Sequence, residues 1–194
     1  MQNILTVADD LVTDHLNEEF EISELADLPT MSVSVFGTSA GFGGTVDPKV
    51  GQEIMESYKF SKILPTIGVN FTIMGYVKQS EFFVFSVMVR DEGVEMSPTR
   101  RAAFMELFNA NPDGVKLRHV PVNPAAVSFP GAQIALDNGT SKADVIRFTQ
   151  KALIELCDGI SPLTGFPRKG LAFKSTTTNF TFKALSESYM EGIN

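Results

Sequence analysis

The sequence predicts an α+β fold: an antiparallel sheet built around a central hairpin, with about four helices packed against it. Two observations carry this. Residues 69 to 77 and 82 to 90 are rich in β-branched and aromatic side chains and flank the polar segment KQSE, the pattern of an antiparallel hairpin. Helical signals are interleaved with strand signals, but the regular strand–helix–strand alternation of a parallel sheet is missing. On the hairpin, alternation sends Phe83, Phe85, Val87 and Val89 to one face and Phe82, Val84 and Met88 to the other.

The remaining elements follow in order. Residues 6 to 20 predict an amphipathic helix with a capping box at Thr6 and Asp9 and an apolar face of Ala8, Leu11, Val12, His15 and Leu16. The acidic EFEISELADLP reads as a connector ending at Pro29. This divides the chain into an N-terminal helical arm with its connector, residues 1–29, and a single α+β domain, residues 30–194. Residues 31 to 36 alternate as a strand, and GTSAGFGGT follows as a glycine-rich loop. Asp47 and Pro48 open a helix with a stripe of Val50, Ile54 and Tyr58, ending before Pro65. Ser97 and Pro98 repeat that signal for a helix to Asn109 that buries Ala103, Phe104, Leu107 and Phe108. Residues 117 to 122 predict a short strand, and the proline-rich VPVNPAAVSFPG a loop or irregular edge. Ser141 and Asp144 cap a helix with a face of Val145, Phe148, Ala152 and Leu156, stopped at Gly159. Residues 178 to 184 alternate as a last strand.

Composition bounds the function classes. With 43% hydrophobic and 20% charged residues over 194 positions, the chain is globular and fits one domain. Sixteen phenylalanines and no tryptophan imply many rings in a core or a protein interface. Sixteen basic against 23 acidic residues, a net charge of -7, disfavour extensive nucleic-acid binding, which relies on neutralising phosphates. The longest basic clusters are Arg100-Arg101 and Arg168-Lys169. One cysteine, Cys157, excludes an internal disulfide and a multi-thiolate zinc site. It suits a reducing compartment. No basic leader with an apolar run and no membrane-length apolar stretch is visible, so the expected location is cytoplasmic, or the virion of a virus. The sequons at Asn70, Asn138 and Asn179 then carry no weight.

Gly37-Thr38-Ser39-Ala40-Gly41 fits G-x-S-x-G, in which flanking glycines allow a tight turn that exposes the serine hydroxyl. GTSAG resembles the nucleophile motif of patatin-like lipid acyl hydrolases. That resemblance implies a Ser39 nucleophile working with an aspartate of an Asp-Gly pair, Asp113 or Asp158, of which Asp158 is taken as the candidate. Gly37, Gly41 and Gly43 with Tyr58 and Lys62 resemble the short-chain dehydrogenases. There the tyrosine stands several βα units after the glycines, whereas here it falls within the next helix. His15, on an apolar helix face, reads as structural, and two separated histidines with one cysteine make no metal site.

The sequence therefore leads to a non-enzymatic, self-associating structural or assembly protein, of the kind found in virions. Its partners would be copies of itself or other assembly proteins, with no cofactor, metal or membrane. Its interface would use Leu11, Val12, Leu16, Phe82, Phe83 and Phe85. The alternative is a small serine acyl hydrolase using Ser39 and Asp158.

Overall fold

The structure is a computed structural model and describes residues 3–68, 70–123 and 130–192. In chain order its first elements are α1 (Ile4–Asp14), β1 (Phe20–Leu25), β2 (Thr30–Phe36), β3 (Ser39–Gly44), α2 (Pro48–Ser57) and α3 (Phe60–Ile67). Then come β4 (Phe71–Lys78), β5 (Glu81–Val89), β6 (Val94–Glu95), α4 (Pro98–Asn109), β7 (Arg118–His119) and β8 (Val122–Asn123). The last are α5 (Pro130–Asp137), α6 (Lys142–Cys157), β9 (Gly170–Ser175), β10 (Thr181–Leu185) and α7 (Glu187–Gly192). The fold is α+β with largely antiparallel sheets. The chain divides into two compact units, Met1–Asp27 with Pro121–Asn194, and Leu28–Val120. This division differs from the expected one at residue 29. Among the described residues no helix is long and apolar enough to cross a membrane.

In the unit Leu28–Val120 the sheet runs β3-β2-β4-β5-β6, with β7 parallel to β5 at Phe83 and Val84. The expected hairpin is β4–β5, but its loop is only Gln79-Ser80, because Lys78 already pairs with Glu81 and Gln79 adopts a positive φ of 56°. The expected alternation is corrected at a bulge. Met74 stands opposite Ser86 and Gly75 opposite Val84, so Phe85 is the inserted residue and the strand changes parity there. Phe82, Val84 and Val87 consequently enter one core with Tyr58, Phe60 and Phe108. The predicted helix after Asp47 is two helices, α2 and α3. The chain breaks at Lys59, in the left-handed region at φ 55°, and Pro65 lies inside α3. Asp47 and Ser97 cap α2 and α4 as expected. α4 buries Arg101, Phe104, Met105 and Phe108, and leaves Leu107 exposed.

In the unit Met1–Asp27 with Pro121–Asn194 the sheet runs β10-β9-β1-β8, all antiparallel. Here the expected acidic connector is corrected. Phe20 and Ile22 alternate with Glu21 and Ser23, and the segment is an inner strand, paired to β9 over six residues. The first helix is shorter than expected: Asn3 caps it, and it ends at Asp14. α1 and α6 cover the sheet through Val7, Leu11, Leu153 and Cys157, against Phe20, Ile22, Phe173 and Phe182. The Phe173 and Phe182 rings stack at 4.4 Å. Ser141 caps α6 as expected, but its buried face is Val145, Thr149, Leu153 and Cys157, and Phe148 is exposed. His15 is structural, stacked on Phe180 at 3.7 Å. Most of the proline-rich stretch after Val120, and Val69 before β4, lie outside the described residues.

Candidate functional site

In this second unit the register brings three strand ends together: Gly170 at the start of β9 stands opposite Leu25 on one side and Leu185 on the other. The approach requires glycine. A Cβ at position 170 would stand 2.1 Å from the Ala184 carbonyl oxygen. Around this junction lies a pocket of about 430 Å³, in the range of small-ligand sites.

Each wall has a local cause. Glu24 comes from β1, one residue before the junction, and Arg168 and Lys169 immediately precede β9. Ser186 receives the backbone of α7 and fixes the other side: its hydroxyl donates to the Arg168 carbonyl at 2.9 Å, and the Tyr189 N–H donates to that hydroxyl at 3.0 Å. Tyr189 then faces the pocket, and the Lys169 ammonium lies 5.7 Å from its ring centre. The rim is the loop from Ile160 to Pro167, closed by a bridge between those two residues. Ser161 organises it. Its hydroxyl accepts from the Leu163 and Thr164 N–H groups at 3.1 and 3.0 Å, and its own N–H donates to the Phe166 carbonyl at 2.8 Å.

The electrostatics single out Glu24. It is 3% exposed, and neither carboxyl oxygen has a hydrogen-bond partner in good geometry. Burial pushes its carboxyl above the usual range, against the opposing pull of nearby Ser161 and Arg168. The Arg168 Nε is also buried without an acceptor, while one of its terminal nitrogens reaches the Ile160 carbonyl at 3.5 Å. Native interiors rarely leave such groups unsatisfied. The pocket thus holds a buried acid, close to the Ser161 side chain, and a guanidinium nitrogen without an acceptor.

No family model matches the chain, and no curated protein matches it. Solved structures do. It superposes on the Naegleria gruberi RNA ligase, as a lysine-to-alanine mutant with ATP and manganese, at a TM-score of 0.76 and 19% identity. That match covers 99% of this chain and 57% of the ligase chain. A lysine-to-methionine mutant of that ligase with AMP and manganese matches at 0.76 and 19% identity, over 99% and 56% of the two chains. The ligase with pyrophosphate matches at 0.74 and 18% identity, over the same shares. The chain thus spans little more than half of the ligase, and at this identity the likeness is one of fold.

That likeness corrects the expectation of a non-enzymatic assembly or virion protein, since the shared fold is that of an enzyme. It equally corrects the expectation of no extensive nucleic-acid binding, because that enzyme is named for RNA and is seen with ATP. The acyl-hydrolase alternative loses its elbow. The GTSAG segment is a β-hairpin with Gly37-Thr38 as its turn, and Ser39 pairs with Phe36 on an edge strand. The Ser39 hydroxyl donates to the Phe36 carbonyl at 3.1 Å. Asp158 belongs to the other unit, where it accepts from the N–H and hydroxyl of Ser188 in the first turn of α7.

Among the residues expected at an interface, Leu11, Val12 and Leu16 are buried, Leu11 in the core of its own unit, and Phe82 is fully buried in the core of its own. Phe83 is 9% exposed under the Arg118 guanidinium, and Phe85 packs against Tyr76 at 4.7 Å. Arg168 and Lys169 were visible in the sequence as a basic pair. Glu24 was hidden because its strand looked like an acidic linker.

Proposed function

We propose that this chain is a nucleotide-binding domain of the RNA-ligase kind, which takes ATP or AMP in the pocket beside Glu24 and serves nucleotidyl transfer in RNA joining. The observation that carries this is the pocket itself: a buried carboxyl lining it with Arg168 and Lys169, in a chain with the ligase's fold. Apart from manganese, the ligands named with the ligase are a nucleoside triphosphate and the two parts into which cleavage at its α-phosphorus divides it. A site that serves that chemistry needs cations for phosphate oxygens and a polar group to orient the rest of the nucleotide. Arg168 and Lys169 supply the first, with the guanidinium suited to two-point contact with a phosphate. Glu24 supplies the second, as donor when protonated and acceptor when ionised.

Among the described residues no three His, Cys, Asp or Glu side chains form a metal cage. That is compatible with ions of the magnesium type, which one or two carboxylates and the substrate's phosphates commonly hold. The lone buried thiol of Cys157 suits a reducing compartment such as the cytoplasm.

Calorimetric titration with ATP and AMP tests the proposal. Saturable binding that is weakened at least tenfold in a double variant, Arg168→Ala with Lys169→Ala, is the expected result. Wild-type protein that binds neither nucleotide, with or without manganese, overturns it.

A further inference from the structure

Phe166 has no polar side-chain atom to offer a phosphate, yet it lines the same pocket. It is 72% exposed, the most exposed of the large hydrophobic side chains among the described residues. Its loop is not loose. The Ile160–Pro167 bridge closes it, and Leu163, 4% exposed, anchors it in the interior. The Ser161 hydroxyl and carbonyl collect three of its N–H groups, those of Leu163, Thr164 and Gly165. The Phe166 N–H also donates to the Thr164 hydroxyl at 3.2 Å. A flat apolar ring is thus held out toward water by a braced loop, two residues before Arg168.

From this we propose that Phe166 is a stacking platform for a nucleobase whose phosphate is held by Arg168 and Lys169. The inference rests on the nucleotide-binding reading and deepens it. Bases stack on aromatic side chains irrespective of their sequence, and an aromatic face beside cations is the usual composition of a nucleotide or single-strand contact. The platform accepts the base of a mononucleotide or the terminal base of a 5′-phosphorylated RNA strand, which present the same chemistry.

The chain contains no tryptophan, so Phe166→Trp installs a single fluorophore at the platform. Three probes are titrated against it: AMP, a 5′-phosphorylated oligoribonucleotide, and ribose 5-phosphate, which has the phosphate and no base. Saturable quenching by a base-containing probe but not by ribose 5-phosphate is the expected result. In parallel, Phe166→Ala should weaken binding of that probe about 5- to 150-fold, the range for losing one stacked base, and leave ribose 5-phosphate unaffected. Quenching by AMP assigns the platform to the pocket's own nucleotide, and quenching by the oligonucleotide alone assigns it to the strand end. If wild-type protein binds AMP or the oligonucleotide but Phe166→Ala binds them equally well, the platform is refuted and the nucleotide-binding reading survives. If wild-type protein binds neither, both fall together.

Discussion

Glu24 and Arg168 line one pocket with no hydrogen bond between them, and each keeps a buried polar atom without a partner. This sets a pH dependence. Burial raises the Glu24 carboxyl above its usual range, so the folded protein keeps that proton at pH values where the unfolded chain has lost it. Stability should therefore fall as pH rises from the ordinary carboxylate range through the raised one. Nucleotide affinity should fall over the same interval, because a new negative charge appears near the phosphate-binding cations. The expected effect is on the order of tenfold, as for one charge pair across a site of intermediate dielectric. Glu24→Gln should flatten both profiles, measured by urea denaturation and by AMP titration. Parallel profiles in wild type and variant would refute the assignment.

Arg168 is positioned by a missing side chain. Gly159 has φ 145°, and a Cβ there would stand 2.7 Å from the Arg168 guanidinium. Gly159→Ala should cost about 1 kcal/mol or more in stability from backbone strain. It should also displace the guanidinium and weaken ATP binding, although residue 159 itself carries no polar group. A crystal structure of the variant with Arg168 unmoved would dismiss this coupling.

What the sequence made legible was whatever depends on short-range chemistry. The caps at Asp47, Ser97 and Ser141 are local hydrogen bonds, and all three stand in the structure. The hairpin β4–β5 was visible because both strands are rich in branched and aromatic residues. What stayed hidden depends on partners distant in sequence. β1 reads as an acidic linker until β9, some 150 residues later, pairs with it and buries Glu24. The candidate site inherits that difficulty. Its basic pair could be seen, but its acid comes from β1 and its position from a junction of three strand ends. The hairpin β2–β3 was missed for a different reason: four glycines in nine residues mimic a loop, and only pairing with β2 reveals a strand.

The bulge in β5 makes neighbouring phenylalanines unequal. Phe82 is fully buried in the core with Tyr58 and Phe60, whereas Phe85 is half-buried at the inserted position beside Tyr76. Phe82→Ala should cost about 3–5 kcal/mol, and Phe85→Ala clearly less, by urea denaturation. Equal losses would mean that the bulge does not exist in solution.

Cys157 should behave as an inert thiol in the folded protein. It is completely buried on α6, its Sγ donates to the Ala184 carbonyl at 3.4 Å, and burial pushes its pKa up to about 11. At pH 8 it should not react with a disulfide reagent on the minutes scale, but should react at once in urea. Rapid labelling in buffer alone would contradict the packing of α6 on β9 and β10.

That thiol can also report on the first 29 residues. If they formed a detachable arm, their removal would leave the rest folded. Their packing leads to the opposite expectation. They carry α1, whose Val7 and Leu11 are wholly buried, and β1, the strand between β8 and β9. Removing β1 strips β9 of a partner over six residues and takes Phe20 and Ile22 out of a core that has few substitutes. A chain starting at residue 30 should therefore lose the fold of the unit around β9, expose Cys157 to rapid labelling, and bind no nucleotide. The other unit, which contains none of the deleted strands and has its own core, should keep part of the circular dichroism signal. A truncated protein with a protected thiol and full helix content would show instead that these residues are dispensable.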